Sequence, residues 1–242
     1  MHDIKKTLKF IGFFFFVILL VGGILAEIGT IENTPSWAPN LFMIIGSLII
    51  LFFSKGKLLY SLIFIGILGF VYEVLGVKIG ILFGSYNYTN VFNIKLFSVP
   101  LVMISAWIII ANFCLTFIQS IKNKFFILYG SAIMVIIDLV VDPIAVHGLK
   151  IWTWDEKGPY FDIPTHNFLG WFFLSIPIFT ILYLSKNKVE KQSRLISNLV
   201  ICFFSIIGFI NEIYFPSILG VFLVILNFLL FIKEMRIKSN VI

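Results

Sequence analysis

Two aspartates four residues apart, Asp138 and Asp142, are the clearest candidates for chemistry in this sequence. A helix places residues at this spacing on one face, and only apolar residues separate them. An ionisable group inside an apolar helix usually faces the bundle interior or a wet cavity. Glu73 also has apolar neighbours on both sides, and Glu212 follows another apolar run. We expect these four carboxyl groups to include a catalytic acid and a catalytic base.

A structural explanation of the two aspartates is the alternative. Asp142 would then cap the turn at Pro143, and Asp138 would pair with a basic side chain. Few basic residues lie near that end of the predicted helices, so we favour the catalytic interpretation. His166 and Asn167 open a later apolar segment, and we expect them to orient a water molecule or a carboxyl group.

Aromatic residues accompany these acids along the chain. Tryptophan and tyrosine often form belts at membrane interfaces, and that alternative applies to Trp152 and Trp154. We nevertheless expect a substrate-binding wall built from six aromatic residues: Tyr72, Tyr86, Tyr88, Trp152, Tyr160 and Trp171. The histidines and cysteines match no metal-ligand spacing, and the chain has no dinucleotide-binding or phosphate-binding loop. We therefore expect neither a metal nor a cofactor.

Carboxyl groups among apolar and aromatic side chains suit proton transfer to a hydrocarbon. The carboxylates fall at predicted helix C-termini, where the helix dipole disfavours an anion, and burial favours the neutral acid further. A neutral acid held close to a trisubstituted prenyl double bond can protonate it to a tertiary carbocation. Aromatic faces stabilise a cation, and a second carboxylate can activate the water that captures it. These steps amount to hydration of an isoprenoid chain that reaches the site from the lipid.

The composition predicts the elements that must hold these groups. Hydrophobic residues make up 60% of the 242 residues, charged residues 12%, and the mean hydropathy is +1.06. Soluble domains carry about 25% charged residues, so we predict an all-α polytopic transmembrane bundle forming a single domain over residues 1–242. A spanning helix needs about 20 apolar residues. The chain offers eight such segments: 8–26, 39–54, 58–76, 98–120, 125–146, 166–185, 195–214 and 216–233. Seven helices are the alternative, because the second segment is short and the last two are joined tightly.

The charges predict the orientation of this bundle. Of the 18 basic residues, 14 fall in the termini and in alternate loops, while nine of the 12 acidic residues fall at the opposite ends of the helices. Basic loops face the cytoplasm. We therefore predict a multi-pass cell-membrane protein with both termini inside and the proposed site toward the outer face. No basic stretch suits nucleic acid, and the sequence does not indicate an oligomeric state.

Several motifs resemble the carotenoid-biosynthesis membrane protein family, which includes carotenoid hydratases similar to bisanhydrobacterioruberin hydratase. The resemblance spans roughly residues 70–175, while the outer helices match only in hydropathy and length. It implies a cofactor-independent hydro-lyase that adds water to a terminal double bond of an acyclic carotenoid, giving a tertiary alcohol. The motifs are YEVLGVKIG at 72–80, FGSYNY at 83–88, LFSVPL at 96–101, DLVVDPIAV at 138–146, GPY at 158–160 and IPTHNFLGW at 163–171.

Two other functions are compatible with the sequence. A proton- or cation-coupled transporter would also use buried acids, but transporter sites usually lie near the midplane between broken helices. Here the acids gather toward one face, which favours the enzyme. A non-catalytic scaffold of a carotenoid pathway would not need the carboxyl groups at all. The partners common to these readings are the lipid bilayer and a lipid-soluble isoprenoid or carotenoid.

Overall fold

Apolar segments of the sequence form the α-helices of a polytopic bundle, and short strands occur only in the loops. The computed structural model describes residues 2–80, 82–123, 125–185 and 188–239, so Lys124 and Lys186, counted above among the basic residues, lie outside the described residues. Within these ranges there are eight α-helices: α1 (His2–Glu27), α2 (Ala38–Phe53), α3 (Lys57–Ile79), α4 (Met103–Ile118), α5 (Phe125–Pro143), α6 (Thr165–Ser185), α7 (Lys191–Ile210) and α8 (Tyr214–Ser239).

Helix length separates two classes of helix. Six of the eight helices in the described ranges are long and apolar enough to cross a membrane. The other two, α2 and α4, are apolar but have 16 residues each. At 1.5 Å of rise per residue they span about 24 Å, less than the hydrocarbon core of about 30 Å.

The shorter helix α4 lies at the centre of the bundle. Nearly all of its residues are buried, and it packs against α2, α3, α5 and α7. A helix that is apolar all round is typical of a bundle core. Because α4 touches so many neighbours, a side chain that it carries can reach residues on several other helices.

Two antiparallel β-ribbons cover one end of the bundle. Strand β1 (Tyr86–Tyr88) pairs with β4 (Trp152–Trp154), and this pairing joins the α3–α4 loop to the α5–α6 loop. Strands β2 (Lys95–Leu96) and β3 (Val99–Pro100) form a tight hairpin, whose turn residues Phe97 and Ser98 have positive φ angles of 53° and 68°. Helix α4 therefore begins at Met103 and not at the predicted residue 98, because the hairpin uses the preceding residues.

The two ends of the bundle carry different loops and contacts. We call the end that carries the β-ribbons, the α1–α2 loop (residues 28–37) and the α7–α8 turn (residues 211–213) the ribbon end. The opposite end carries two ion pairs, Lys55 with Glu190 at 3.0 Å and Arg194 with Glu234 at 2.9 Å. We call it the basic end.

Candidate active site

Glu73 is a buried carboxylate that accepts hydrogen bonds from three neutral donors. It lies on α3 with 5% of its surface exposed. Strand β1 supplies two hydroxyl groups, since Tyr86 donates to Oε2 and Tyr88 donates to the same atom over 2.8 Å. From α4, the indole N–H of Trp107 donates to Oε1 over 3.1 Å. Both carboxylate oxygens are therefore fixed in place.

The tyrosines that bind Glu73 act as hydrogen donors. Burial, followed by the charge of Glu73, raises the pKa of Tyr86 and of Tyr88 well above the ordinary value of 10.0. Both phenols keep their protons as a result. Their rings also lie edge to face, with centroids 5.5 Å apart.

Trp107 owes its position to a glycine on the neighbouring helix. A Cβ atom at Gly69 would lie 2.1 Å from Cγ of Trp107, so only glycine lets α3 approach the indole this closely. Trp171 of α6 stacks on Trp107 with ring centroids 4.7 Å apart and planes inclined by 11°. Three helices thus meet at the indole that binds Glu73.

Asp138 and Asp142 lie on one face of α5, as their spacing predicts, and a single amide joins them. Each is 2% exposed. The side-chain nitrogen of Asn167 donates to Oδ2 of Asp138 over 2.7 Å and to Oδ2 of Asp142 over 2.9 Å. Trp152 Nε1 donates to Oδ1 of Asp142 over 2.7 Å. Among the described residues, Oδ1 of Asp138 has no hydrogen-bond donor.

Tyr160 supports α5 between the two aspartates. Pro143 lies four residues after Leu139 and has no N–H to donate to the Leu139 carbonyl. The hydroxyl of Tyr160 donates to that carbonyl over 2.8 Å instead. Burial, with smaller contributions from Asp138 and Asp142, raises the pKa of Tyr160 to about 12, so this hydroxyl remains a donor. Beyond Pro143 the helix widens into a π-helical turn at Ile144–Gly148.

One cavity of about 70 Å³ connects these groups near the ribbon end. A water molecule needs about 10–15 Å³ of such space, so the cavity holds several waters or one small branched group. Its described lining contains no lysine or arginine. The carboxyl groups and Asn167 share it with apolar side chains and with the aromatic residues Phe83, Tyr86, Tyr88, Phe92, Trp152, Trp154, Trp171 and Phe204.

The structure brings together most of the predicted catalytic residues. Glu73, Asp138, Asp142 and Asn167 all line this cavity. His166 is exposed, and its ring lies against Gly84, where an added Cβ would be 2.2 Å from Nε2. Glu212 is also exposed, in the α7–α8 turn. Neither residue is part of the described cavity lining.

Of the predicted aromatic wall, four members line the cavity and two do not. Tyr86, Tyr88, Trp152 and Trp171 are in the lining. Tyr72 packs edge to face on Trp107 with centroids 6.2 Å apart, and Tyr160 holds the Leu139 carbonyl. These two residues contact the groups that form the site and not the cavity itself.

Sequence reasoning missed Trp107 and assigned Trp154 no role in the site. Trp107 could have been identified from the sequence, because it lies within a predicted apolar helix. A tryptophan of the interfacial belt would instead lie near a helix end. Trp154 pairs in register with Tyr86, and that pairing cannot be read from either loop alone. No group of three His, Cys, Asp or Glu side chains among the described residues is arranged to hold a metal ion.

Comparison with known proteins identifies a family. A model of the family described as "Carotenoid biosynthesis protein" matches residues 40–227, which is more than half of the chain. This range includes Glu73, both aspartates and every other residue of the cavity lining. No curated protein and no solved structure matches the chain.

Proposed function

The chain belongs to the carotenoid biosynthesis protein family, and we propose that it is a hydratase that adds water across a terminal double bond of an acyclic carotenoid. The observation that carries this proposal is an apolar cavity in which three buried carboxyl groups meet without a basic side chain among the described lining. Such a site suits acid–base chemistry on a hydrocarbon, whose double bond offers no polar atom to bind.

Charge repulsion supports the presence of a neutral acid. Three anions in one apolar cavity repel each other, and no cation in the described lining offsets the cost of burying them. The Asn167 amide donates to both aspartates, which holds their Oδ2 atoms near each other. We propose that this pair carries at least one proton.

Asp138 is the member of the set best placed to give that proton away. Both oxygens of Asp142 and of Glu73 accept hydrogen bonds, while Oδ1 of Asp138 meets no donor among the described residues. A protonated Oδ1 would have its hydrogen free for a substrate in the cavity. We therefore assign Asp138 as the general acid, with Asp142 as its hydrogen-bonded neighbour.

The proposed reaction balances without a redox partner. The π electrons of the double bond take the Asp138 proton and form a C–H bond at the less substituted carbon, which leaves the tertiary carbon cationic. A water oxygen then bonds to that carbon and loses one proton to a carboxylate. We assign this base to Glu73, whose three donors favour its anionic form, and transfer of the proton from Glu73 back to Asp138 restores the starting state. Aromatic faces in the lining stabilise the intermediate cation.

Expression in a lycopene-producing host tests the activity. We expect extracted pigments to include a hydroxylated product, and growth or incubation in H₂¹⁸O should place ¹⁸O in its hydroxyl group. Incubation in D₂O should add deuterium to the neighbouring carbon. A product whose hydroxyl oxygen derives from O₂ would contradict the proposal, since an oxygenase and not a hydratase makes such a product.

Single amide substitutions separate catalysis from scaffolding. We expect Asp138→Asn and Glu73→Gln each to abolish hydration while the protein still inserts in the membrane. Glu212→Gln is the matched control, because Glu212 is an exposed acid outside the cavity. Full activity in both cavity variants would remove these carboxyl groups from the mechanism and favour the scaffold.

A further inference from the structure

A second and larger cavity lies beside the candidate active site and has no role in the chemistry described so far. Its volume is about 300 Å³. Helix α1 forms one wall with Leu19, Gly22, Gly23 and Ala26, and α2, α7 and the α1–α2 loop form the others. We call it the α1 cavity. Its described lining is almost entirely apolar, and its one charged residue is Glu27.

The α1 cavity adjoins the active-site cavity along a shared wall. Four of the described residues line both spaces: Met43, Phe92, Ile151 and Phe204. Because these side chains separate the two spaces, a passage between the cavities requires a side chain such as Met43 to move. Methionine suits this position, since its unbranched side chain adopts many shapes at low cost.

Two glycines create space in the wall that α1 contributes. An added Cβ at Gly22 would meet no atom within 4 Å, whereas one at Gly23 would lie 3.0 Å from the Phe203 ring. Helix interiors disfavour glycine by about 1 kcal/mol each relative to alanine. The two glycines therefore lower the stability of helix α1 and leave space for a groove between α1 and α7.

The one charged group sits at the end of this groove and is already paired. Glu27 is the last residue of α1, and its Oε1 accepts a hydrogen bond of 2.7 Å from Asn211. The rest of the α1 wall offers an occupant only apolar contact. This chemistry fits a hydrocarbon and excludes a polar or charged ligand of similar size.

We propose that the α1 cavity binds the long hydrocarbon chain of the substrate while the active-site cavity holds only its reacting end. This inference rests on the proposed function and adds to it a binding site for the chain. The volumes favour this division, because about 70 Å³ accommodates one branched end group and about 300 Å³ accommodates a longer segment. Ile18 of α1 lines this cavity and is also exposed, so the chain enters from the lipid along α1.

Filling the groove tests the proposal. In Gly22→Phe the new ring occupies open space in the cavity wall, so the helix packing is kept. The matched control is Val21→Phe, which adds a ring one residue away, at an exposed position outside the lining. The readouts are lycopene hydration, hydration of 2,6-dimethyloct-2-ene as a short alkene, and the lycopene retained by the purified protein.

The proposal predicts a length-dependent loss. Gly22→Phe should lower lycopene hydration and lycopene retention by about tenfold, as expected when a pocket loses space for part of its ligand, while hydration of the short alkene is nearly unchanged. Val21→Phe should match the unmodified protein in all three readouts. Equal loss for both substrates, or unchanged lycopene retention in Gly22→Phe, would overturn the proposal.

Retention also separates this proposal from the hydratase assignment. Asp138→Asn should retain lycopene as the unmodified protein does, even though it cannot hydrate it. If the unmodified protein hydrates neither substrate but Gly22→Phe still loses lycopene retention, the hydratase assignment fails and the chain-binding site stands. If hydration occurs and retention does not depend on Gly22, the chain-binding site fails and the hydratase assignment stands.

Discussion

At the residue scale, function depends on how hydrogen-bond donors are divided among three carboxyl groups. Glu73 accepts from three neutral donors, Asp142 accepts from Trp152 and Asn167, and Asp138 accepts from Asn167 alone. Hydrogen bonds to a carboxylate favour its charged form. In the mechanism we propose, this unequal division gives similar carboxyl groups different roles, with Asp138 as acid and Glu73 as base.

The first prediction concerns the general acid. Asp138→Asn keeps the size of the side chain but has no carboxyl proton to transfer, so hydration should fall by about 10²–10⁴-fold, the usual contribution of general acid catalysis. The measurement is the initial rate of hydroxylated carotenoid formation in isolated membranes. Asp155→Asn is the control, because Asp155 is exposed and its carboxylate bonds only to Asn87 among the described residues. A similar loss in the control would contradict the assignment.

At the element scale, two local packing features place these side chains. Pro143 deprives the Leu139 carbonyl of its helical partner, and Tyr160 replaces the lost bond. Gly69 lets α3 approach Trp107, which in turn binds Glu73. Each feature uses one residue on a helix and one from another element, so the site depends on contacts between elements.

The second prediction tests the Tyr160 contact. Tyr160→Phe removes the hydroxyl and leaves the Leu139 carbonyl without its donor, which costs about 1–3 kcal/mol for a buried acceptor. We expect a lower melting temperature in detergent and a reduced hydration rate. Tyr129→Phe, on the exposed side of the same helix, should change neither quantity. Equal melting temperatures for the two variants would show that the Tyr160 hydroxyl does not support α5.

The third prediction tests the close approach of α3 to α4. Gly69→Ala places a methyl group where the Trp107 ring lies, so the ring must move and the protein should lose about 1–3 kcal/mol of stability, as is usual for overpacking. Trp107 would then release Glu73, and hydration should fall as well. Gly12→Ala is the control, since Gly12 lies outside both cavity linings and an added Cβ there would be 3.9 Å from Ile49. Unchanged activity in Gly69→Ala would separate the Trp107 contact from function.

The elements themselves could be predicted from the sequence more completely than their contacts. Apolar runs predicted all eight helices, but α1 begins before and α8 ends beyond its apolar run, and the predicted start of α4 fell in the β2–β3 hairpin. The aspartate pair followed from helical periodicity. The bonds from Tyr86 and Tyr88 to Glu73 depend on the pairing of two loops, which apolar periodicity does not encode. His166 and Glu212 were predicted from their positions at the outer ends of apolar helices, and their side chains are exposed.

At the scale of the whole molecule, the two ends of the bundle differ in what they contain. The cavity lies near the ribbon end, and the basic end contains an ion pair whose arginine is buried. Arg194 is 4% exposed, bonds to Glu234 over 2.9 Å and lies 5.2 Å from the centre of the Phe231 ring. We expect this pair to fix α8 against α7 without affecting the chemistry.

The fourth prediction concerns that ion pair. Glu234→Gln removes the anion that compensates the buried Arg194 guanidinium, and because the Glu234 side chain is itself 28% exposed, the loss of stability should be about 1–3 kcal/mol. The rate of hydration per folded molecule should stay the same. Glu190→Gln breaks an exposed pair, and such pairs contribute only about 0–1 kcal/mol. Comparable melting temperatures for the two variants would contradict the structural role of Arg194.

The fifth prediction concerns orientation. Basic loops face the cytoplasm, so the ribbon end should face outward. In intact cells, a membrane-impermeant maleimide should label Glu32→Cys at the ribbon end but not Lys57→Cys at the basic end, both in a Cys202→Ser background. Permeabilising the cells should expose the second site. The reverse pattern would place the cavity at the cytoplasmic face.

The central claim is that a carboxyl group in the cavity stays protonated, ready to give its proton to a hydrocarbon. Infrared spectroscopy of the purified protein measures this most directly, because a protonated carboxyl group has a C=O stretching band that shifts in D₂O and that a carboxylate lacks. We expect this band at neutral pH in the unmodified protein and in Glu212→Gln. We expect Asp138→Asn to lose it. A spectrum of Asp138→Asn that retains the full band would contradict the claim.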